Sequence, residues 1–124
     1  MKKVLLVGNC NYDGPKISSI LKDMYSNVDV DDIKTIKEAK EYLERGKYDL
    51  VLVNRLIDID KEDGLHLVDH VVKYHKDTPI IMISNLPDAL ERAQKHGAKK
   101  GFGKQELYGN DLSRIQDILD KHLK

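Results

Sequence analysis

The sequence predicts an α/β fold, a doubly wound sheet of five parallel strands built from five βα units. Short apolar runs alternate along the chain with segments of helical periodicity. Solid apolar runs of this length are typical of strands that are covered on both faces, and a helix between consecutive strands implies a right-handed crossover into a parallel sheet. The runs are Val4 to Val7, Leu50 to Val53, Ile80 to Ile83 and a weaker region around Phe102.

The helices and the remaining strand follow from local signals. The first helix should begin near Gly14-Pro15, because the first helical turn tolerates proline, and Asn110 should cap the fifth helix. A weak second strand is predicted near Ile33, and the fourth helix should run from about Pro87 to Gly97. Apolar residues at helical spacing define the others: Ile17, Ile20, Leu21 and Met24 in the first helix, Ile36, Ala39, Tyr42 and Leu43 in the second, Leu65, Val68, Val71 and Val72 in the third, and Leu112, Ile115, Ile118, Leu119 and Leu123 in the fifth.

The composition predicts a single domain over residues 1–124. A chain of 124 residues can bury a sizeable core but is too short for two ordinary domains. Lysine plus arginine equals aspartate plus glutamate at 21 each, without a basic stripe, so nucleic acid is not an expected direct partner. Cys10 has no second cysteine to pair with, and no apolar run approaches the length of a membrane span. We therefore expect a soluble, cytoplasmic protein without a membrane partner.

The ends of the predicted strands indicate where a functional site would lie. In a doubly wound sheet, ligands bind beyond the carboxyl ends of the strands, where the strand order reverses. The residues at those ends are Gly8, Asn9 and Cys10 after the first strand, Asn54 after the third, Ser84 after the fourth and Lys104 after the fifth.

Several segments, in order and at the expected spacing, resemble the receiver domain of bacterial two-component response regulators. They are Val4 to Val7, Asp49 to Val53, Asp63-Gly64-Leu65, Thr78 to Ser84, Gly97-Ala98 and Lys104. No single segment is specific, but the ordered set is, and it covers essentially the whole chain. The resemblance implies the flavodoxin-like form of the doubly wound sheet.

The chain departs from this family at the site that gives receivers their chemistry. Family members carry an acidic pair after the first strand and a phosphoacceptor aspartate after the third, and these positions fall on Gly8, Asn9 and Asn54. Only the hydroxyl of Ser84 and the amine of Lys104 match the family pattern. Without the three carboxylates the charge of the pocket changes from roughly −2 to roughly +1. The sequence therefore predicts neither a magnesium site nor aspartyl phosphate.

A longer loop after the third strand leaves one question open. It contains Asp58 and Asp60, and either could supply a replacement carboxylate. Asn54 and Lys104 can also have purely structural roles: Asn54 would make hydrogen bonds at a buried strand end, and Lys104 would pair with Asp58, Asp60 or Asp13. We favour these structural roles over an anion site.

The remaining departures favour a protein-binding role. The aromatic residue with which the family couples its pocket to its surface falls on Gly101. Receivers usually meet partners through the fourth helix, fifth strand and fifth helix, so a signalling protein or a second copy of the chain is the expected partner. On this chain that surface would consist of Arg92, Lys95, Lys99, Lys100, Tyr108 and Arg114. We expect a phosphorylation-independent receiver that is not an enzyme and has no cofactor.

Two alternatives belong to other functional classes. The crevice at Gly8-Asn9, Ser84 and Lys104 could bind a small anion or nucleotide at the start of the first helix, although the dinucleotide and P-loop fingerprints are missing. An enzyme that uses Cys10 as its nucleophile is less favoured, because no base is placed beside it by sequence. The histidines show no compact metal-ligand spacing, so no metal site is predicted among His66, His70, His75, His96 and His122.

Overall fold

The computed structural model describes all residues 1–124 as five strands, five α-helices and one 3-10 helix. None of the helices is long and apolar enough to cross a membrane. In chain order the elements are β1 (Lys2–Val7), α1 (Asp13–Met24), β2 (Val28–Ile33), α2 (Ile36–Arg45), β3 (Leu50–Asn54), α3 (Leu65–Tyr74), β4 (Ile80–Ile83), α4 (Pro87–Lys95), β5 (Lys99–Phe102), the 3-10 helix (Lys104–Tyr108) and α5 (Ser113–Leu123).

The five strands form one parallel sheet in the order β2-β1-β3-β4-β5. This confirms the predicted doubly wound fold. The strand order reverses between β1 and β3, and Val7 pairs with Val53 where these strands end. On the other side of β3, Asn54 pairs with Ile83 at the end of β4. The carboxyl ends of the three central strands therefore lie at one level and form the crevice.

Burial on both faces of the sheet explains the solid apolar runs. Successive strand residues point to opposite faces. Leu5 and Val53 belong to a core with α2, α3 and α4, whereas Leu6 and Leu52 belong to a second core with α1 and α5. Each of these four residues is fully buried. The two cores hold the strand ends, and hence the crevice, in fixed positions.

One local prediction is wrong, and one segment has a regular structure that the sequence does not indicate. Asn110 is exposed and does not cap α5; instead Leu112 precedes the helix, and Asp111 accepts the backbone N–H of Ser113 at 3.0 Å. The segment from Lys104 to Tyr108 was not predicted to be regular. It forms the 3-10 helix because the buried Leu107 packs into the core with α1 and α5. Asp111 therefore supplies the side-chain hydrogen bond at the start of α5, to its first N–H group, although Leu112 is the residue that precedes the helix.

Candidate functional site

Three of the five predicted site residues line one cavity beyond the strand ends. Asn54, Ser84 and Lys104 contribute to its wall, and its volume is about 360 Å³. Gly8 and Asn9 do not line it, although both are buried beside the end of β1. The cavity therefore lies at the ends of β3, β4 and β5, and the residues that follow β1 are not accessible from it.

The side-chain amide of Asn54 is committed to the backbone. Its Nδ2 donates to the carbonyl oxygen of Leu56 at 2.7 Å and to that of Gly8 at 3.2 Å, and the residue is only 5% exposed. These hydrogen bonds agree with the structural role expected of Asn54 at a buried strand end. A carboxylate has no donor, so an aspartate here would set its oxygens against two carbonyl oxygens. The amide is therefore part of the local structure.

Gly8 occupies a conformation that suits glycine. Its φ is +81°, and a Cβ at this position would collide with the Cδ1 atom of Ile57. The Gly8 carbonyl also accepts the backbone N–H of Asp58 at 2.9 Å. The end of β1, the end of β3 and the following loop are consequently joined at this one carbonyl group.

Asn9 is fully buried, and neither atom of its side-chain amide has a hydrogen-bond partner in the protein. Its backbone carbonyl accepts the Nζ of Lys34 at 3.1 Å. A carboxylate in this environment would be a buried group whose oxygens make no hydrogen bond to the protein, which is costly. The surroundings of Gly8 and Asn9 therefore do not suit the two carboxylates that the family carries at these positions.

Ser84 supports the backbone of the following loop. Its Oγ accepts the N–H of Leu86 at 3.0 Å, just before α4. The neighbouring Asn85 accepts the N–H of Gln105 at 2.9 Å and lines the cavity. Both polar side chains therefore have structural hydrogen bonds.

Lys104 pairs with Asp13, which is one of the three partners considered from the sequence. The Nζ of Lys104 lies 3.2 Å from one carboxylate oxygen of Asp13, and the hydroxyl of Tyr108 donates to the other at 2.6 Å. Partial burial alone would raise the pKa of Asp13, but the hydrogen bonds from Tyr108, Lys104 and Cys10 outweigh it and lower that pKa. Burial and the bond to the Asp13 carboxylate raise the pKa of Tyr108.

The loop after β3 brings only one of the two candidate carboxylates to the cavity. Asp58 lines the cavity, and Lys61 Nζ lies 3.8 Å from its Oδ1. Asp60 does not line it; this exposed residue accepts the backbone N–H of Glu62 at 3.0 Å. Asp60 is therefore not a replacement for the missing carboxylates.

The donor set does not fit the magnesium ion that the family resemblance implies. Three cations, Arg55, Lys61 and Lys104, and one carboxylate, Asp58, line the cavity and give it a net charge of +2. Asp13, bound to Lys104, reduces this to +1. A hard divalent cation prefers several anionic oxygens. One carboxylate that already contacts a lysine does not meet that need.

Position 101 has no room for an aromatic side chain. Gly101 is buried, and a Cβ there would collide with the carbonyl oxygen of Met82 and lie 3.2 Å from the Cδ2 of Leu90. Phe102 belongs to the core with α1 and α5 and is 1% exposed. The aromatic residue of β5 is therefore locked into a core and does not face the surface.

The six residues of the predicted partner surface are all exposed: Arg92, Lys95, Lys99, Lys100, Tyr108 and Arg114. Lys95 pairs with Glu91 at 3.3 Å, Arg114 pairs with Glu106 at 2.6 Å, and Tyr108 is bound to Asp13. No ion pair involves Arg92, Lys99 or Lys100. These three are the charges of that surface that are available to a partner.

A comparison with known protein families finds one that matches most of the chain. The model of the response regulator receiver domain matches residues 13–110, from the start of α1 to the segment before α5. The chain therefore belongs to the response regulator receiver domain family. The matched range begins after Gly8 and Asn9, so it leaves out the two positions of the acidic pair.

Solved receiver structures share the architecture at low sequence identity. The beryllofluoride-activated NtrC4 receiver domain dimer is 21% identical with a TM-score of 0.76, and the match covers 99% of this chain and 97% of that one. The NtrX receiver domain from Brucella abortus is 21% identical with a TM-score of 0.74 and 97% of each chain covered. The RcsB response regulator from Salmonella typhimurium is 19% identical with a TM-score of 0.77, covering 99% of this chain and 61% of that one. No curated protein matches the chain significantly.

Gly8→Asp should destabilise the protein, because aspartate would adopt a positive φ and its Cβ would meet Ile57. The expected loss in free energy of unfolding is about 1–3 kcal/mol, measured by urea denaturation. Gly46→Asp is the control: φ at Gly46 is −153°, and a Cβ there would meet only the Nζ of Lys3 at 3.7 Å. Its effect should stay within about 0.5 kcal/mol. Equal losses in both variants would contradict the role assigned to Gly8.

Asp13→Asn should make stability less sensitive to acid. The pKa of Asp13 in the folded protein lies below 3.8, so its ionised form stabilises the fold above that pH, and the contribution disappears as the pH falls through the folded pKa. Between about pH 6 and pH 2 the variant should therefore lose less free energy of unfolding than the wild type does. Asp58→Asn, at an exposed position, should follow the wild type. An unchanged slope in Asp13→Asn would refute this assignment.

Proposed function

We propose that this receiver works without phosphorylation and acts through protein contacts, neither as an enzyme nor with a cofactor. The observation that carries the proposal is the amide of Asn54, which stands at the phosphoacceptor position and donates to two carbonyl oxygens. An amide is a poor nucleophile and carries no charge to hold a metal. The cationic cavity walls support the same conclusion, because they would repel magnesium.

A partner would recognise one resting conformation of the chain. A switch needs a ligand that binds one of two states more tightly, and an element that changes between them. Here Gly101 stands where the family has its switching aromatic residue, and a Cβ at this position would lie 3.2 Å from the Cδ2 of Leu90. Lys104 is bound to Asp13. The pocket therefore has neither a phosphoryl group to sense nor a rotamer change to transmit.

The α4–β5–α5 face is the surface we assign to the partner. Arg92, Lys99 and Lys100 are exposed and without ion pairs, so they favour an acidic surface on a signalling protein or on a second copy of the chain. The similar NtrC4 receiver domain is a dimer in its beryllofluoride-activated form, which is a precedent for self-association within this fold. Electrostatic attraction of this kind mainly accelerates association.

The two alternatives have less support. An anionic ligand at the start of α1 would meet the carboxylate of Asp13 and that of Asp32, which lies against Gly14. Cys10 accepts the backbone N–H of Asp13 at 3.3 Å, and no histidine hydrogen-bonds to its sulfur. Neither an anion site nor an activated thiol is favoured by these contacts.

The protein should not respond to phosphodonors. Incubation with acetyl phosphate and magnesium should leave its intact mass unchanged, and beryllofluoride with magnesium should cause no change in the amide NMR spectrum. Asn54→Asp alone should behave in the same way, because the acidic pair is still missing. A receiver with all three carboxylates serves as the positive control. Addition of a phosphoryl group, or saturable magnesium binding in roughly the millimolar range of weak carboxylate sites, would refute the proposal.

Charge reversal should separate the proposed binding face from the rest of the surface. Lys99→Glu combined with Lys100→Glu, two exposed lysines without ion pairs, should weaken self-association in analytical ultracentrifugation, or capture of partners by the immobilised protein, and more strongly at low salt. Lys37→Glu with Lys40→Glu on α2 is the matched control and should have little effect, since these exposed lysines lie on another helix. Loss of binding only in the α2 variant would show that the interface does not lie on the α4–β5–α5 face.

A further inference from the structure

Three potential metal ligands meet at the end of the sheet opposite the crevice. Glu44 lies in the last turn of α2, His70 lies on α3, and His75 follows α3 directly. One ligand atom from each residue lies within 4.8 Å of those of the other two. No spacing in the sequence indicates this arrangement, because Glu44 and the two histidines are brought together only by the packing of α2 against α3.

The histidine nitrogens in this cluster lack partners. The Nε2 atoms of His70 and His75 are both buried, and neither has a hydrogen bond. The Oε1 of Glu44 lies 3.6 Å from the Nε2 of His75, which is too long for a hydrogen bond. Burying polar nitrogens without partners is costly. A cation placed between the two imidazoles and the carboxylate would satisfy all three groups.

We propose that Glu44, His70 and His75 bind a divalent transition metal ion of the zinc type, with a fourth position left open. Nitrogen and carboxylate ligands about 2.0–2.1 Å from a tetrahedral zinc ion lie roughly 3.3 Å from one another. The pair formed by His75 and Glu44 is already close to that spacing at 3.6 Å. All three ligand atoms lie within 4.8 Å of one another, so small side-chain rotations of His70 and of Glu44, which is 69% exposed, would bring them to the spacing of a tetrahedral site.

The cluster is accessible from solvent. An open cavity of about 650 Å³, lined by Glu44 and His75, adjoins the cluster. An ion and a fourth ligand can therefore reach the site without disturbing the core.

The bound ion would join the C-terminal ends of α2 and α3. This end of the sheet is remote from Asn54 and Lys104, because helices in a parallel sheet run back against the strands. Metal binding would thus stabilise the folded chain without adding a carboxylate to the crevice. It is independent of the phosphorylation-free role proposed above.

The test is a metal titration of the full chain without an affinity tag, freed of metal by chelator. Zinc should bind at one ion per chain in calorimetry and raise the melting temperature, and cobalt(II) should give the visible absorption of a tetrahedral site. His75→Gln and Glu44→Gln should each weaken zinc binding by at least tenfold, because even an outer-shell partner is worth about 10–100-fold. Glu44→Gln changes an exposed side chain, so it tests the site even if a histidine variant folds poorly.

His66→Gln is the matched control. His66 is on the same helix and also pairs with a glutamate, Glu62 at 3.0 Å, but it belongs to no group of three ligands. It should keep the affinity of the wild type. Absence of saturable zinc binding, or an equal loss of affinity in His66→Gln and Glu44→Gln, would overturn the proposal.

Discussion

The amide of Asn54, held between two backbone carbonyl groups, is the interaction on which the crevice depends. It ties the end of β3 to Gly8 at the end of β1 and to Leu56 in the following loop. Gly8 can present its carbonyl because it adopts a positive φ, and Ile57 fills the space that a side chain on Gly8 would need. Asparagine and glycine at these positions are therefore parts of one network. Restoring a single carboxylate would break its hydrogen bonds before it created a metal site.

A second network connects the crevice to the surface. Asp13 accepts from Lys104 on one side and from Tyr108 on the other, and Tyr108 also stacks near Tyr12 with ring centroids 6.1 Å apart. In this arrangement the lysine of the pocket and an aromatic residue of the outer face share one carboxylate. Both contacts are charge-assisted, and the pair of Lys104 and Asp13 is also partly buried, which makes it stronger than a fully exposed surface pair. These contacts favour a single conformation of the crevice and of the surface beside it.

The site was predictable to the extent that it depends on strand ends. The convergence of Asn54, Ser84 and Lys104 follows from parallel strands that end at one edge, which the apolar runs indicate. The burial of Asn9 away from the cavity was not predictable, because it depends on how the neighbouring loops pack over the end of β1. Several polar residues precede α5, and the sequence alone does not show which of them bonds to its first N–H group. The path of the chain selects Asp111 instead of the predicted Asn110.

The sequence by itself determined the doubly wound sheet, the family and the loss of the three carboxylates, because each of these depends on residue type and spacing along the chain. Tertiary structure alone decided which of three aspartates binds Lys104 and that Glu44 meets His70 and His75. These contacts depend on the rotation of helices about their axes and on the paths of loops. Residues as far apart as Asp13 and Tyr108, separated by 95 positions, meet only after the cores have formed.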